Sequence, residues 1–490
     1  MNARLHDLGV ELRPDPGRVV ARLFLPGEGV TPTRSRAGGI VRRILALPED
    51  RIASEAEAIM RDFGSRHPDL TAILTRHAET VAFRTTVPPR MDAGFSIVLG
   101  AAFTAEHAVE AAALCNPSAF EHPDQTGLAP GELRLAVALR SIGEGHVSSI
   151  GFVSAIIGPG KNWRFEDRAT PLAQAEVGDG IWTRTHFRRA LQTDGRLNQL
   201  SSAVVRALPD EFASSDIEAA IAAVPTDLTR RPDAHLDLEL MRTLAWSAYS
   251  AVFDATTRLS QRVLLPVTAG ESNGIEDARF VVFTADDGTV EYRASYTAYD
   301  GRSIAPRLLR SPDLVRFTTH RLVGTAAENK GMAFFPRSIA GTQWALTRTD
   351  GENLSIASSR DGLDWSDAGI LHPPSEPWEA VQLGNCGSPI ETERGWLVLT
   401  HGVGTMRRYA IGALLLDAND PTRVIARLTE SLLEAVGDMR EGYVPNVVYS
   451  CGGLVHDGRL WLPFGVGDQR VRAGSIDLVH LLDAMTPTAS

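Results

Sequence analysis

Ser272–Phe283 reads SNGIEDARFVVF, and the rest of the chain is organised around it. Two carboxylates and a guanidinium (Glu276, Asp277 and Arg279) stand between Gly274 and a Phe-Val-Val-Phe run with the character of a buried strand. Charges at the mouth of an apolar strand are costly to bury unless they are paired. Arg279 is therefore expected to neutralise one carboxylate and leave the other for chemistry, the arrangement of a catalytic acid. A structural ion pair at a strand end is the other reading of the same residues, because such pairs also perturb pKa values.

Further motifs follow in a fixed order. Lys330 opens Lys-Gly-Met-Ala-Phe-Phe-Pro, Arg348 closes Gln-Trp-Ala-Leu-Thr-Arg, and Gly387-Ser-Pro-Ile-Glu-Thr-Glu-Arg-Gly-Trp-Leu leads into His401-Gly-Val. Leu414-Leu-Leu-Asp, Val444-Pro-Asn-Val-Val and Gly465-Val-Gly-Asp468 come after. With these, Gly-Ile-Glu-Asp-Ala-Arg resembles the Gly-(Val/Ile)-Glu-Asp-Pro-Arg signature of glycoside hydrolase family 130, the mannoside phosphorylases and related β-mannosidases. Ala278 stands where that family has proline. The resemblance is dense from Asn273 onward, thinner from about 96, and leaves the first 95 residues outside it.

Composition sets outer limits. A chain of 490 residues can bury a large core and hold more than one domain. Its net charge of -11 argues against nucleic acid or an anionic membrane as partner. Cys115, Cys386 and Cys451 are few, odd in number and scattered, which suits a reducing compartment. No apolar run is suited to a signal peptide or a membrane span, so a cytoplasmic protein is expected.

Residues 1–95 read as a mainly helical region. Ile52-Ala-Ser-Glu-Ala-Glu-Ala-Ile-Met carries helix formers up to Gly64, and a second helix restarts after His67-Pro-Asp. A packing or oligomerisation role, with a homo-oligomer in view, is expected for this region. From 96 the chain reads as β: a strand at Phe95–Leu99, a short helix from Thr104 to Leu114, then a strand from Leu133 ending at Arg140. Helical apolar spacing returns at about 185–255, an insertion read as scaffold or as a lid. Beyond it, Ser311-Pro-Asp-Leu-Val-Arg-Phe and Ser359-Arg-Asp-Gly-Leu-Asp-Trp place Ser, Asp and an aromatic at matching offsets, about one propeller blade apart.

The family resemblance implies a mainly β fold, a five-bladed β-propeller spanning 96–490 and interrupted by the insertion, whose inner strands aim side chains at a central funnel. It implies Asp277 as the acid, with Glu276 and Arg279 around it, and Asn116, Arg140 and Asp468 as sugar ligands. Lys330, Arg348 and His401 match basic phosphate-binding positions. Gln382 stands where phosphorylases usually carry lysine, and Arg407 or Arg408 could restore that charge, since neighbouring strand residues face opposite sides.

Inverting cleavage needs an acid and a nucleophile on the opposite face of the sugar. A hydrolase activates water with a second carboxylate, whereas a phosphorylase binds phosphate with cations. The expected enzyme acts on β-linked manno-oligosaccharides with inversion, taking inorganic phosphate as co-substrate and giving α-mannose 1-phosphate. No other cofactor and no metal are expected. An inverting β-mannosidase and a non-catalytic sugar-binding propeller are the alternatives. His146, in a Gly-rich turn, and Tyr296, Tyr299 and Tyr443 are weaker candidates for substrate contact.

Overall fold

Antiparallel strands dominate the computed structural model, which describes residues 3–26, 36–85 and 92–488. The fold is mainly β. Two compact units are present: residues 1–14, 112–168 and 175–490 form one, and residues 15–111 with 169–174 form the other.

The larger unit is built from five successive antiparallel meanders. Ala113–Glu121, Leu133–Ile142, Ser148–Gly158 and Asn162–Phe165 make the first. The second is Gly274–Thr284, Val290–Tyr299, Ile304–Ser311 and Arg316–Arg321, joined to the first by parallel pairing of Gly274 with Ser148. Ala333–Phe334, Gln343–Thr347, Leu354–Ser359 and Ser366–His372 form the third. Gln382–Asn385, Gly395–Val403, Tyr409–Leu416 and Val424–Arg427 form the fourth. In the last, Val448–Tyr449, Arg459–Val466 and Arg470–Asp477 receive their outer strand from the other end of the chain, His6–Leu12.

The matching turn motifs have one physical role. Ser311 Oγ accepts from Leu314 N at 2.7 Å, and Ser359 Oγ accepts from Gly362 N at 2.9 Å. Each Asp two residues on accepts two further backbone N–H groups, the Ser and Asx turns these side chains favour. Phe317 and Trp365, six residues past each Ser, are each 1% exposed. Turn and core anchor thus recur together at the same strand junction.

The insertion is helical, with Arg184–Thr193, Gln199–Ala207, Ile217–Ala222 and Ala234–Ala245 as its main helices. Trp182, Phe187, Val204, Phe212 and Met241 belong to a separate apolar cluster there. Val323 is the member of that cluster drawn from the β-meanders. His186 bonds the Arg321 carbonyl at 2.8 Å, and Arg189 pairs with Asp364 at 2.7 Å.

The smaller unit packs the helices Arg36–Leu45, Glu49–Phe63, Leu70–Thr85 and Ala93–Ala102 with an antiparallel strand pair, Val19–Leu23 and Thr104–Ala108. Two expectations are corrected here. Phe95–Leu99 is helix, because Asp92 accepts from Phe95 N as an N-cap and Gly100 lets the helix lie against Leu74. A Cβ at Gly100 would stand 1.9 Å from the Leu74 carbonyl oxygen. Thr104–Ala108 is strand, because pairing with Val19–Leu23 outweighs helix propensity.

Candidate active site

Gly274–Thr284 is an edge of the second meander whose ladder is broken between Glu276 and Arg279. A bulge of this kind re-aims a side chain. Asp277 takes φ 57 there, a conformation a non-glycine residue adopts only when its surroundings hold it. The first meander does the same: its ladder shifts between Cys115 and Ser118, and Asn116 has φ 49. Asp468, in the turn after Val466, has φ 48. Three backbone departures therefore bring Asn116, Asp277 and Asp468 to one cavity of about 430 Å³.

The same cavity is lined by Arg140, Arg279, Lys330, Arg348, Gln382, His401 and Arg407. Of the residues the family resemblance assigned to acid, sugar or phosphate, Glu276 alone is not in its wall. Glu276 lies behind, its carboxylate held by Arg140 at 2.6 Å and by Lys330 at 3.5 Å. Arg408 faces a different cavity, so Arg407 is the member of that pair turned towards the site.

Arg140, not Arg279, is the ion-pair partner of the carboxylates, which corrects the sequence expectation. Its guanidinium reaches Glu276 at 2.6 Å and Asp277 at 3.4 Å, while Nε donates to Ser148 Oγ at 3.0 Å. Arg279 spends its donors on uncharged oxygens: the Asp277 carbonyl at 3.0 Å, the Cys386 carbonyl at 3.1 Å and the Tyr449 hydroxyl at 2.8 Å. It locks the bulge to the fourth and fifth meanders.

These contacts set opposite proton affinities on the two carboxylates. Burial pushes Asp277 up, but Arg140, Arg279 and Lys330, with the Asn116 amide donating at 2.5 Å, hold it below the usual carboxylate range. Asp468 is raised to about 6 by burial and by the negative charge of Asp277.

His401 is a hydrogen-bond relay in this structure and not a third cation, as its sequence position suggested. Nδ1 bonds the Asn385 carbonyl at 3.1 Å, which can only accept, and Nε2 faces Arg348 at 3.0 Å, which can only donate. The ring is therefore neutral, and burial together with Arg348 keeps its pKa well below the histidine norm. Gly384 makes room for this pair: a Cβ there would come within 2.6 Å of His401 Cε1.

Tyr409, Tyr449 and Asn385 also line the cavity and were not anticipated. Tyrosines in apolar strands look like core from sequence. Tyr296 is buried against Glu271 at 2.7 Å instead, and His146 sits on Tyr443 with ring centroids 6.0 Å apart, neither of them in the wall. Among the described residues no group of three or more His, Cys, Asp or Glu side chains is placed to hold a metal ion. No helix among them is long and apolar enough to cross a membrane.

Residues 253–487 match the profile of glycoside hydrolase family 130, described as beta-1,4-mannooligosaccharide phosphorylase. A 1,2-beta-oligomannan phosphorylase of Thermoanaerobacter sp. (strain X514) is 34% identical over 226 residues, 45% of this chain and 74% of that protein. The chain belongs to glycoside hydrolase family 130. Another family 130 relative, a beta-1,2-mannobiose phosphorylase of Listeria innocua, is 31% identical over 45% of this chain and 62% of its own. A solved structure of beta-1,2-mannobiose phosphorylase from Listeria innocua, in complex with beta-1,2-mannobiose, superposes with a TM-score of 0.45 at 21% identity, over 77% of this chain and 92% of that one.

Proposed function

We propose that this family 130 protein is an inverting β-mannoside phosphorylase that cleaves a β-mannosidic bond with inorganic phosphate and releases α-mannose 1-phosphate. The observation that carries the reading is the charge of the cavity wall. Arg140, Arg279, Lys330, Arg348 and Arg407 line it, against Asp277 and Asp468 as its carboxylates among the described residues. Arg140 and Arg279 are occupied at Asp277 and its bulge, which leaves Arg348, Arg407 and Lys330, the last shared with Glu276 at 3.5 Å, for an anion. A water-activating base would need a further carboxylate near these cations. The relatives named above are phosphorylases, which points the same way.

In this reading Asp277 is the acid and Asn116, Arg140 and Asp468 hold the mannosyl unit next to it. Phosphate binds at Lys330, Arg348 and Arg407, with His401 accepting from Arg348 and so orienting that guanidinium in the wall. Lys330 is one of the cations that depress Asp277. An anion that takes up its charge therefore raises the Asp277 pKa, so that more of Asp277 carries the proton it has to give when the nucleophile is in place. The proton passes to the leaving oxygen directly or through a mannose hydroxyl.

The five meanders are the blades of a five-bladed β-propeller, closed by the His6–Leu12 strand on the last of them, with the cavity in the funnel. Among the described residues, none of the unit of 15–111 and 169–174 lines the cavity, and a packing or oligomerisation role is assigned to it. A cytoplasmic location fits three free, buried cysteines.

The reverse reaction tests the stereochemistry. Given α-mannose 1-phosphate and a mannose acceptor, the protein should release phosphate and form a β-linked disaccharide. Use of the β-anomer, or no phosphate release with either anomer, would overturn the inverting phosphorylase.

A further inference from the structure

Some buried polar atoms in the cavity wall make no hydrogen bond within the described residues. These are Asn116 Oδ1, Arg348 Nε, and both Oδ1 and Nδ2 of Asn385. Asn385 stands apart because its whole carboxamide is unspent while the residue is only 1% exposed. Its backbone is already employed, the carbonyl fixing His401 through Nδ1. A buried amide with neither end satisfied is costly, so an apolar side chain would be the cheaper occupant of a merely structural position.

Its neighbours in the wall set the chemistry of this part of the cavity. Arg348, with its own Nε open, bonds the ring that Asn385 holds. Gln382, at the start of the same short strand, gives the wall a second neutral amide where a cation was expected. This part of the cavity thus combines a guanidinium with uncharged groups that both donate and accept.

We propose that Asn385 is a phosphate ligand that reads the proton on the anion: Nδ2 donates to a phosphate oxygen and Oδ1 accepts from the P–OH. This rests on the phosphorolysis reading and adds a selectivity to it. A fully deprotonated oxyanion such as sulfate offers acceptors only, and would set an anionic oxygen against the Oδ1 lone pairs. Hydrogen phosphate and hydrogen arsenate each present both an acceptor and a hydroxyl, and satisfy both ends of the amide.

The test is steady-state kinetics on mannobiose with phosphate or arsenate as varied co-substrate and sulfate as inhibitor, for the wild type, Asn385→Ala and Asn385→Ser. In the wild type, arsenate should replace phosphate, and the sulfate inhibition constant should lie at least tenfold above the phosphate KM. Asn385→Ala should raise the phosphate KM about tenfold, keep the mannobiose KM within about twofold and narrow the phosphate–sulfate gap. Asn385→Ser, which still donates and accepts, should fall between the two.

A sulfate constant equal to the phosphate KM in the wild type would overturn the proposal without any variant. So would a rise confined to the mannobiose KM, which would make Asn385 a sugar ligand, or an unchanged phosphate KM. If the wild type turns over mannobiose equally well without phosphate, it is the underlying phosphorolysis that fails. If it depends on phosphate and Asn385→Ala does not alter that dependence, only the role of Asn385 fails.

Discussion

Asp277 and Asp468 line one cavity and are driven in opposite directions, Asp277 down by Arg140 and its neighbours, Asp468 up to about 6 by burial and by Asp277. Replacing Asp277, the acid of the proposed reaction, while keeping its shape separates chemistry from binding: Asp277→Asn should lower kcat by about 10²–10⁴-fold with mannobiose affinity, read by calorimetry, changed by no more than a few-fold. Undiminished turnover would remove Asp277 from the reaction. The two shifts also have opposite signs in stability. A depressed pKa favours the folded state above the ordinary carboxylate pKa of about 4 and loses that contribution as pH falls. A raised one gives stability that is full below about 4 and is lost as pH rises through the folded value of about 6. Denaturation midpoints of the wild type relative to Asp468→Asn should therefore decline between pH 4 and pH 6, and a constant difference would contradict the environment assigned to Asp468. At this scale the sequence exposed the charged residues but not their partners. Arg279 looked like the partner of a carboxylate because it is two residues from Asp277, whereas Arg140 arrives from 137 positions away. Asn385 gave no signal, being one polar residue at the end of the strand Gln382–Asn385 whose meaning lies in what its amide fails to meet.

Among the elements, the legible ones were those whose cause is local. The Ser-x-Asp turns announced themselves because each side chain bonds backbone two or three residues on. The helix Glu49–Phe63 was bounded by its own formers and by Gly64. Ala93–Ala102 was not, because an almost wholly apolar helix shows no periodicity and is easily taken for a strand. The outer strand His6–Leu12 was also invisible, since its partner Arg470–Asp477 lies at the opposite end of the chain. Glu11 ties the two by bonding Arg470 at 3.0 Å and Arg472 at 3.1 Å. Deleting residues 3–14 strips this pairing and leaves the Arg470–Asp477 edge open to other strands. The truncated protein should melt several degrees lower and scatter light at concentrations where the full chain does not; an unchanged melting curve would show that the strand does not close the fifth meander in solution.

On the scale of the whole molecule, a chain of net charge -11 carries a cavity whose wall is rich in arginine and lysine. Such a local reversal of sign concentrates a small anion where the bulk surface would repel it. The phosphate KM should consequently rise with ionic strength as the Debye length falls from about 30 Å at 0.01 M to about 3 Å at 1 M, while the KM for neutral mannobiose stays level. Equal salt dependence of both constants would place the anion outside this field. The composition made the acidic balance plain, and the ordered motifs pointed to the residues that meet in the cavity, but the cationic interior became visible only once the meanders had brought together positions from Asn116 to Asp468. The most direct test incubates the protein with β-1,2- and β-1,4-linked mannobiose, with and without inorganic phosphate, and follows mannose and its phosphate ester. Phosphorolysis at the Lys330, Arg348 and Arg407 end of the cavity predicts mannose 1-phosphate that appears only with phosphate. Free mannose released at a rate indifferent to phosphate would contradict it.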